Sequence, residues 1–308
     1  MLLKSSPLDE GKRLDLFLSE KSGLTRSQVK KLIEAGRVHL KGKALKASDK
    51  VKAGMEIELE RPVVETEGLV PEAIPLNILY RDDYLVVVDK PAGMVVYPAL
   101  GHARGTLMNA LAFHVKKLAT IGGPLRAGVV HRLDKDTSGV MVVALDDKAY
   151  YGLLEQFKER TIKRSYVALI YGSPKEDEGV ISLKIGRAIS DRKKMSVKTR
   201  HGREALTQWR VLQRFKGATL IEARLGTGRT HQIRVHLAAM GYPVLGDKVY
   251  GKKTHIELDR KKIHIPRQML HAQVLGFKHP ITGKEMEFES PVPEDMEEIR
   301  KLLLTAVN

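Results

Sequence analysis

Apolar residues recur at helical spacing near the start of the chain. In the stretch RLDLFLSEKSG, Leu14, Phe17 and Leu18 share one helical face, and Gly23 is expected to end the helix. The stretch TRSQVKKLIEAG predicts a second helix, in which Thr25 and Gln28 match a capping box. The apolar stripe of this second helix consists of Val29, Leu32 and Ile33.

The pattern changes after Gly36, which suits the residue just past a helix end. Short pieces of alternating apolar and polar residues follow, broken by Gly42 and Gly54, and they are typical of a small sheet. The next segment, RPVVETEGLVPEAIPL, contains three prolines and predicts a linker.

From about Asn77 onward, strand-like runs such as YLVVVD, GVMVVAL and SYVALIYG alternate with helical stretches. The spacing is not that of regular βαβ units, and no Gly-rich phosphate loop follows a strand. This indicates an α+β domain on a mixed, mainly antiparallel sheet with flanking helices. The predicted organisation is a small α/β domain at 1–62, a linker at 63–76 and a large domain at 77–308.

Composition narrows the functional classes. The 308-residue chain has no cysteine, which excludes disulfides, thiolate nucleophiles and cysteine-ligated zinc sites. The opening residues, MLLKSSPLDEGKRLD, lack the apolar core of a signal peptide. The longest apolar runs, such as VMVVAL, fall far short of the roughly 20 residues that cross a bilayer. We therefore expect a soluble, cytoplasmic protein.

The charge favours a polyanionic partner. The chain has 53 Lys and Arg against 37 Asp and Glu, a net charge of +16, and nucleic acid is the commonest partner of such a protein. An anionic membrane surface is the alternative, but no basic amphipathic helix with exposed large apolar residues is visible.

Positive charge is densest between residues 21 and 52, which contain ten Lys or Arg and two acids. Arg26 and Lys30 lie one turn apart on the second predicted helix. They are candidates for contact with RNA phosphates, and a solvated helix face is the alternative.

Several familiar catalytic motifs are absent from the sequence. The segment HRLD resembles the kinase His-Arg-Asp, but no Gly-rich loop or Asp-Phe-Gly accompanies it. The segment GTGRTHQIRVH lacks the Gly-Lys-Ser/Thr of a phosphate loop, and the Cys ligands of base deaminases are missing. His231 and His236 lack the glutamate of an HExxH motif, so no metal site is expected.

The stretch VVHRLDKDTSGV places Asp134 and Asp136 between two apolar runs. They are too close in sequence to flank a sugar as glycosidase carboxylates do. An ionised aspartate can act as a nucleophile or base, but in a nucleobase pocket it needs an arginine to keep its charge. In DTSG, Asp136 is expected to form an Asx-type turn, which leaves Asp134 as the preferred candidate.

The first block resembles the S4 RNA-binding domain through the stretches RLDLFL, LTRSQVKKLIEAGRV and KAGMEIEL. Two turns of its small sheet depart from the family. HLKG stands where Val-Asn-Gly is usual, and Gly54-Met55 where Gly-Asp is usual. The resemblance implies an RNA partner without indicating a reaction.

The segment GVVHRLDKDTSGVMVVAL resembles the signature of the RluA family of pseudouridine synthases. The similarity extends over nearly all of residues 77–290, through VVVDKPAGMVVYP, TIKRSYVALIYG, LGTGRTHQIRVHLAAMGYPVLGDKVYG and RQMLHAQVLGFKHP. With the S4 block in front, the chain is most similar to the RluD/RluC-like branch, which modifies large-subunit ribosomal RNA. This implies the pseudouridine synthase fold, RNA rather than DNA as substrate, and no cofactor or metal.

The resemblance implies that Asp134 is the catalytic aspartate. In the family it attacks the target uridine, the C1′–N1 bond breaks, the uracil turns within the pocket and a C1′–C5 bond forms. Whether it starts at the sugar or acts as a base stays open. Because a uridine inside a folded RNA must be extruded first, we expect a loop or a distorted stem as target.

Further roles carry over from the same motifs. Tyr166 matches the active-site tyrosine that lies on the base, with a tyrosine that fills the core as the alternative. Arg234 matches the arginine paired with the catalytic carboxylate, and Ile233 the aliphatic residue that packs against uracil. A helix from about Thr230 to Met240 is expected to carry both.

Two arginines and a tyrosine complete the expected substrate contacts. Arg132 matches an arginine that can fill the gap left by a flipped base, and a plain phosphate contact is equally compatible. Arg229 is assigned to phosphate or to the cleft wall, and His131 to a structural role. Tyr97 stands where the family commonly has histidine, which bears on substrate fit.

Two alternatives to the ribosomal RNA enzyme remain at this point. One is a synthase that acts on transfer RNA, which the S4 block disfavours. The other is a non-catalytic RNA-binding factor in ribosome assembly, which the complete set of Asp134, Tyr166 and Arg234 disfavours.

Overall fold

The computed structural model describes residues 2–22, 26–40, 43–59, 69–99, 101–189, 191, 194–258 and 261–305. The chain forms two compact units, Met1–Glu67 and Gly68–Asn308. Each unit has a hydrophobic core of its own.

The first unit packs two short helices against a small sheet. The helices are α1 (Leu14–Ser22) and α2 (Arg26–Glu34), and a 3₁₀ turn covers Pro7–Asp9. The strands are β1 (Leu2–Lys4), β2 (Val38–Leu40), β3 (Lys43–Ala44) and β4 (Glu56–Leu59). They pair antiparallel in the order β1-β4-β2-β3. The apolar stripes of both predicted helices are buried in one core, so these helices and the small sheet are confirmed.

Local details of this unit follow from its backbone. Gly36 has a φ of +66°, the left-handed conformation expected just past a helix end. Strand β1 is an addition to the predicted elements, and its Leu3 lies opposite Ile57 of β4. The helix end at Gly23, the turn at Gly42 and the capping box of Thr25 and Gln28 rest on atoms outside the described residues.

The second unit is built on one large sheet. Its strands are β5 (Asn77–Arg81), β6 (Leu85–Lys90), β7 (Ser138–Ala144), β8 (Lys163–Tyr171), β9 (Glu178–Ser182), β10 (Gly186–Arg187), β11 (Met195–Ser196), β12 (Leu206–Phe215), β13 (Ala218–Leu225), β14 (His255–Leu258), β15 (Lys261–His264), β16 (Leu270–Lys278) and β17 (Glu285–Glu289).

Nine of these strands, counted over the described residues, join in the order β5-β6-β7-β16-β8-β13-β12-β9, with β17 also paired to β16. Strands β10 and β11 form a separate ribbon, as do β14 and β15. Within the described chain, β7 and β16 are the one parallel pair of the large sheet. The mixed, mainly antiparallel sheet of an α+β domain is therefore confirmed.

Helices cover both faces of this sheet. They are α3 (Leu107–His114), α4 (Asp147–Glu159), α5 (Gln232–Ala239) and α6 (Glu294–Thr305). Helices α3 and α5 pack on one face through Leu111 and Leu237. Helices α4 and α6 pack on the other through Leu153 and Leu303. Successive side chains of β6 and β8 point alternately to the face covered by α3 and α5 and to the face covered by α4 and α6, as the pleat of a strand requires.

The predicted linker, 63–76, is described from residue 69 onward, where the chain lies against α3. The side-chain amide of Asn109 donates to the carbonyl of Val70 at 2.8 Å. The amide of Glu72 donates back to the carbonyl of Asn109 at 3.0 Å. None of the helices in the described ranges is long and apolar enough to cross a membrane.

Candidate active site

Asp134 lies in the connection that leads into β7. The backbone turns here, because the amide of Thr137 donates to the carbonyl of Asp134 at 3.1 Å. Lys90, at the end of β6, is fully buried, and its ammonium donates to the carbonyl of Lys135 at 3.1 Å. The amide of Gly93 donates to the same carbonyl at 2.9 Å. The loop that carries the carboxylate is therefore fixed to the end of the neighbouring strand.

Asp136 differs from the expectation for it. Its side chain is exposed, and within the described residues no backbone amide donates to its carboxylate, so the predicted Asx-type turn is not formed. Its carbonyl instead accepts from Nη1 of Arg267 at 3.1 Å. Ser138 already lies in β7 beside His271, so the chain is extended where that turn would close.

Arg234 of α5 joins two carboxylates. Its Nη1 donates to Oδ2 of Asp134 at 2.7 Å. On the opposite side, its Nε and Nη2 donate to the two oxygens of Asp247 at 2.7 and 3.0 Å. Asp247 is itself buried and accepts from the amides of Val249 and Tyr250. Such a two-point contact fixes the plane of the guanidinium and therefore aims Nη1 at Asp134.

The electrostatics keep the pair of Arg234 and Asp247 ionised. Burial opposes the charge of Arg234, but the hydrogen bonds and attraction of Asp247, with those of Asp134, raise the pKa of the guanidinium. Burial likewise opposes the charge of Asp247, but the contacts from Arg234 outweigh it and lower the pKa of that carboxyl. Arg234 and Asp247 are therefore both charged at neutral pH.

His231 approaches the carboxylate from the other side. Its Nε2 is 3.7 Å from Oδ1 of Asp134, and its Nδ1 is 2.7 Å from the hydroxyl of Tyr250. The ring of Tyr250 also lies under the guanidinium of Arg234, 5.1 Å from ring centre to Cζ. Burial lowers the pKa of His231, so the imidazole is neutral at neutral pH.

The backbone of His231 is left-handed, with φ 57°, at the residue that precedes α5. A non-glycine residue adopts this conformation at a cost of about 1–3 kcal/mol, and such strain is concentrated at functional sites. Because the imidazole contacts Tyr250 and faces Asp134, the strained backbone is what brings the ring to the carboxylate.

A cavity of about 310 Å³ opens beside Asp134. Tyr166 of β8 and Ile233 of α5 are buried and line it. Tyr166 also packs in the main core, so its ring lies between the cavity and the hydrophobic interior. Burial raises the pKa of Tyr166, opposed by Arg164 and assisted by Asp134, and its phenol is protonated at neutral pH.

The rim of the cavity is basic. Arg132 is exposed, and its Nη1 donates to the hydroxyl of Tyr97 at 3.1 Å. Its guanidinium carbon also lies 5.6 Å from the centre of that ring. Half-buried Arg229 donates through Nε to the carbonyl of Glu204 at 3.1 Å. Tyr97 therefore holds Arg132 at the entrance.

His131 occupies the cavity wall in a structural setting. Its Nε2 accepts from the amide of Val142 at 3.1 Å, and its ring stacks on Phe157 at 4.8 Å. Burial lowers the pKa of His131 to about 3. The imidazole is therefore a neutral part of the wall.

The sequence-predicted residues fall into two groups. One cavity is lined by Arg132, Asp134, Tyr166, Arg229, Ile233 and Arg234. Arg26 and Lys30 belong to the first unit. There Nη2 of Arg26 lies 2.8 Å from Oδ2 of Asp15, while exposed Lys30 lies 3.7 Å from Glu34.

Four residues that contact Asp134 or Arg234 or line the cavity were given no catalytic or binding role from sequence. They are Arg164, His231, Asp247 and Tyr250. All four stand inside stretches that carry the family resemblance, KRSYVAL and GTGRTHQIRVHLAAMGYPVLGDKVYG, which is the one signal that could have found them. No cluster of three or more potential metal ligands occurs among the residues with described positions.

Comparison with known families gives two matches. The family described as RNA pseudouridylate synthase matches residues 84–239, and the S4 domain matches residues 12–57. Among curated relatives, the uncharacterised RNA pseudouridine synthase YlyB of Bacillus subtilis is 44% identical over 96% of both chains. The ribosomal large subunit pseudouridine synthase D of Zymomonas mobilis is 43% identical over 96% of this chain and 94% of its own.

A solved structure supports the same comparison. The human protein named RNA Pseudouridylate Synthase Domain Containing 1 superposes with a TM-score of 0.57 at 26% identity. The match covers 76% of this chain and 96% of the human chain.

Proposed function

The chain belongs to the RNA pseudouridylate synthase family, and from this premise we propose that it isomerises uridines of large-subunit ribosomal RNA, with Asp134 as the catalytic carboxylate. Relatives named ribosomal large subunit pseudouridine synthase D, 42–43% identical over more than nine-tenths of this chain, support the ribosomal target. An S4 domain in front of the catalytic unit supports it as well. We accordingly assign 1–62 to RNA binding, 63–76 to a linker, 77–308 to catalysis, and the enzyme to the cytoplasm.

One observation carries the assignment of Asp134. Its carboxylate accepts a hydrogen bond from Nη1 of Arg234 at 2.7 Å. It also borders a cavity whose other walls include Tyr166 and Ile233. Such a charge-assisted hydrogen bond from a guanidinium holds the carboxylate in a fixed direction. The cavity offers an aromatic face and an aliphatic face, between which a flat uracil can lie.

The chemistry follows from this arrangement. Asp134 either attacks C1′ of the sugar and forms a bond to it, or acts as a base and removes a proton from the neighbouring C2′. In both cases the C1′–N1 bond breaks and its electron pair leaves with the uracil. The detached uracil turns between Tyr166 and Ile233 until C5 faces C1′. The C1′–C5 bond then forms as the Asp134–C1′ bond breaks or, on the base route, as the proton returns to C2′. The proton on C5 is then lost and N1 gains one. The phenol of Tyr166 is protonated and borders the same space, so it can move a proton at this step.

The rim and the S4 domain hold the RNA. Extruding a uridine costs a few kcal/mol, which phosphate contacts offset. Arg229 at the cavity provides such a contact. Arg132 either provides another or enters the stack where the base has left. Arg26 and Lys30 provide further contacts from the first unit. A loop or a distorted stem remains the expected target, because its bases are cheapest to extrude.

The carboxylate is tested by a matched pair of variants, Asp134→Asn and Asp136→Asn. With an unmodified large-subunit ribosomal RNA transcript, Asp134→Asn should form no detectable pseudouridine, because an amide is neither a nucleophile nor a base here. Asp136→Asn should keep its activity, since the Asp136 side chain is exposed. Activity that survives Asp134→Asn would overturn the catalytic assignment.

The RNA target is tested in cells that lack the protein. Pseudouridines mapped across total RNA should disappear from large-subunit ribosomal RNA and return when the wild-type chain is restored. Loss from transfer RNA alone would replace the ribosomal proposal with a transfer RNA synthase. Unchanged pseudouridine in every RNA class would favour the non-catalytic alternative.

A further inference from the structure

Arg164 is a buried cation in the wall of the active-site cavity. It lies on β8 two residues before Tyr166, so both side chains project from the same face of the sheet. Its exposed fraction is 9%, and it lines the same cavity as Asp134. Arg164 takes no part in the proposed steps at Asp134, Tyr166 and Ile233.

The partners of Arg164 are few compared with those of Arg234. Within the described residues, its guanidinium meets no carboxylate, and one of its five N–H donors is used, by Nη2 to the carbonyl of Leu225 at 3.3 Å. Its Nε is buried without an acceptor, the one such side-chain polar atom in the described part of the chain. A buried charge with unmet donors is costly, so this group is placed to meet an acceptor that the substrate brings.

The surroundings hold the guanidinium in position. Its central carbon lies 5.5 Å from the centre of the Phe157 ring, a cation–π contact. The loop before α5 passes close by, since a Cβ on Gly228 would lie 2.8 Å from Nη1. Burial lowers the pKa of Arg164, yet an arginine side chain keeps its proton in proteins. The cavity therefore contains a fixed positive charge.

The location of Arg164 favours contact with the uracil base over contact with RNA phosphates. Arg126 and Arg132 also line the cavity and are exposed, as phosphate-binding side chains at an entrance are. Arg164 is buried with Tyr166, where the flat part of an extruded nucleotide enters. A phosphate group would have to leave water to reach it, whereas a uracil carbonyl arrives there with the ring.

We propose that Arg164 donates hydrogen bonds to a carbonyl oxygen of the target uracil and stabilises the negative charge of the ring once it has left the sugar. The inference rests on the proposed function of the site. When the C1′–N1 bond breaks, its electron pair stays with the uracil and is shared among N1, O2 and O4. The pair then forms the C1′–C5 bond as the bond to Asp134 breaks or the sugar regains its proton, C5 loses its proton and N1 gains one. A preorganised guanidinium lowers the energy of that anion.

The symmetry of uracil suits a single fixed donor. To bring C5 in place of N1, the ring turns about the axis through N3 and C6, and this rotation exchanges O2 with O4. A guanidinium beside one carbonyl before the rotation therefore meets the other carbonyl after it. Arg164 can hold the ring at both ends of the movement without moving itself.

The test compares Arg164→Met and Arg164→Lys with a matched control, Lys163→Met. Lys163 is the neighbouring residue on β8, but it is exposed, projects from the opposite face and pairs with Glu287. The substrate is a synthetic RNA fragment around a uridine located by the mapping above. Single-turnover rates at saturating RNA, dissociation constants and thermal unfolding are measured for each protein.

Arg164→Met is expected to slow the single-turnover step by about 100-fold, the size of losing one oxyanion donor, with little change in RNA affinity. Arg164→Lys should recover part of the rate because it keeps the charge, and Lys163→Met should match wild type. An Arg164→Lys variant that folds but is no faster than Arg164→Met would overturn the role of the charge. Weaker RNA binding with a normal saturated rate would indicate a phosphate contact and also overturn it.

Replacing a carbonyl oxygen of the target uracil distinguishes a direct contact of Arg164 with that oxygen from an indirect effect of Arg164 on the fold. RNA with 2-thiouridine or 4-thiouridine at the target replaces one carbonyl oxygen by sulfur, a poor acceptor. The ratio of wild-type to Arg164→Met rates should be smaller with at least one of them than with uridine. Equal ratios for all three substrates would mean that Arg164 acts only through the fold. If wild type itself makes no pseudouridine, the proposed function fails instead.

Discussion

Asp134 and Asp136 have the same side chain and lie two residues apart, but their surroundings differ. Asp134 meets Arg234 at 2.7 Å at the edge of a cavity, whereas the side chain of Asp136 is exposed. The difference comes from residues a hundred positions away, because α5 brings Arg234 beside one of the two carboxylates. Asp247 in turn fixes the guanidinium, so three residues from three segments determine the direction of one N–H donor.

Removing the charge of Asp247 should let the guanidinium of Arg234 turn away from Asp134 more easily. In Asp247→Asn, one of the two anionic contacts to Arg234 becomes an amide, so the guanidinium is held less firmly. We expect kcat to fall about 10- to 100-fold with little change in KM, and stability to fall by about 3 kcal/mol. Steady-state kinetics and urea unfolding check both, with exposed Asp83→Asn as control. A folded Asp247→Asn with the wild-type kcat would show that Arg234 needs no second anchor.

At the rim, Tyr97 should influence RNA binding through Arg132. Tyr97→Ala removes both the hydrogen bond and the aromatic face, whereas Tyr97→Phe removes only the hydrogen bond. We expect KM for RNA to rise about 2- to 5-fold in Tyr97→Ala, the range of an exposed cation–π contact, with kcat nearly unchanged. Tyr97→Phe should lie between this variant and wild type. A fall in kcat alone would place Tyr97 in the chemical step rather than in positioning Arg132.

Among the elements, β6 and the loop before β7 are joined through Lys90. Its ammonium donates to the carbonyls of Pro91 at 2.8 Å, Met94 at 2.9 Å and Lys135 at 3.1 Å. All three N–H donors of the Lys90 ammonium are thereby used. The loop after β6 and the loop before β7 are therefore bound to the same side chain. The position of Asp134 thus depends on a buried side chain 44 residues earlier in the chain.

This buried lysine predicts a pH dependence of stability. Burial lowers the pKa of Lys90 to about 7, while the unfolded chain has a value of about 10.4. Between these values the unfolded state binds the extra proton, so stability rises with pH in that window, by about 1 kcal/mol per unit. The difference in unfolding free energy between wild type and Lys90→Met should therefore grow from pH 7 to pH 9.5 in urea titrations. A difference that does not change with pH would refute the shifted pKa.

The helices and strands that the sequence predicts are those whose apolar residues repeat at a regular spacing within the element itself. The stripes of α1 and α2 repeat at helical spacing, and Ile233 and Leu237 of α5 are buried as the apolar pattern indicates. Strand β1 has three residues, too few for a pattern, and it forms because β4 pairs with it. The Asx-type turn at Asp136 fails for a similar reason, since β16 draws Ser138 into an extended strand.

The site was predictable only in part, and the resemblance supplied most of it. The pairing of Asp134 with Arg234 spans a hundred residues and has no local pattern. The second anchor Asp247, the left-handed backbone of His231 and the unmet donors of Arg164 depend on packing between separate segments. Spacing along the chain carries no information about such contacts, so they appear only in three dimensions.

Over the whole molecule, the net charge of +16 includes cations at the cavity and cations on the surface of the first unit. Several arginines line the cavity beside Asp134, and in the first unit exposed side chains such as Lys30 extend into solvent. Because both units carry positive charge, RNA affinity should be a sum of phosphate contacts from each. Binding should therefore weaken steeply with salt, whereas the single-turnover rate at saturating RNA should change much less.

The contribution of the first unit can be measured with two opposite substitutions on α2. Lys30 and Glu34 lie one turn apart with 3.7 Å between their charged atoms, and both are exposed. If Lys30 contacts a phosphate, Lys30→Ala should weaken RNA binding and reduce the slope of log K against log salt by about 1. Glu34→Ala should slightly strengthen binding, because it removes a competing negative charge. Both variants should keep the wild-type single-turnover rate at saturating RNA, since neither belongs to the catalytic unit. Filter binding of a ribosomal RNA fragment across a salt series checks this, and identical slopes for wild type and Lys30→Ala would remove α2 from the RNA-binding surface.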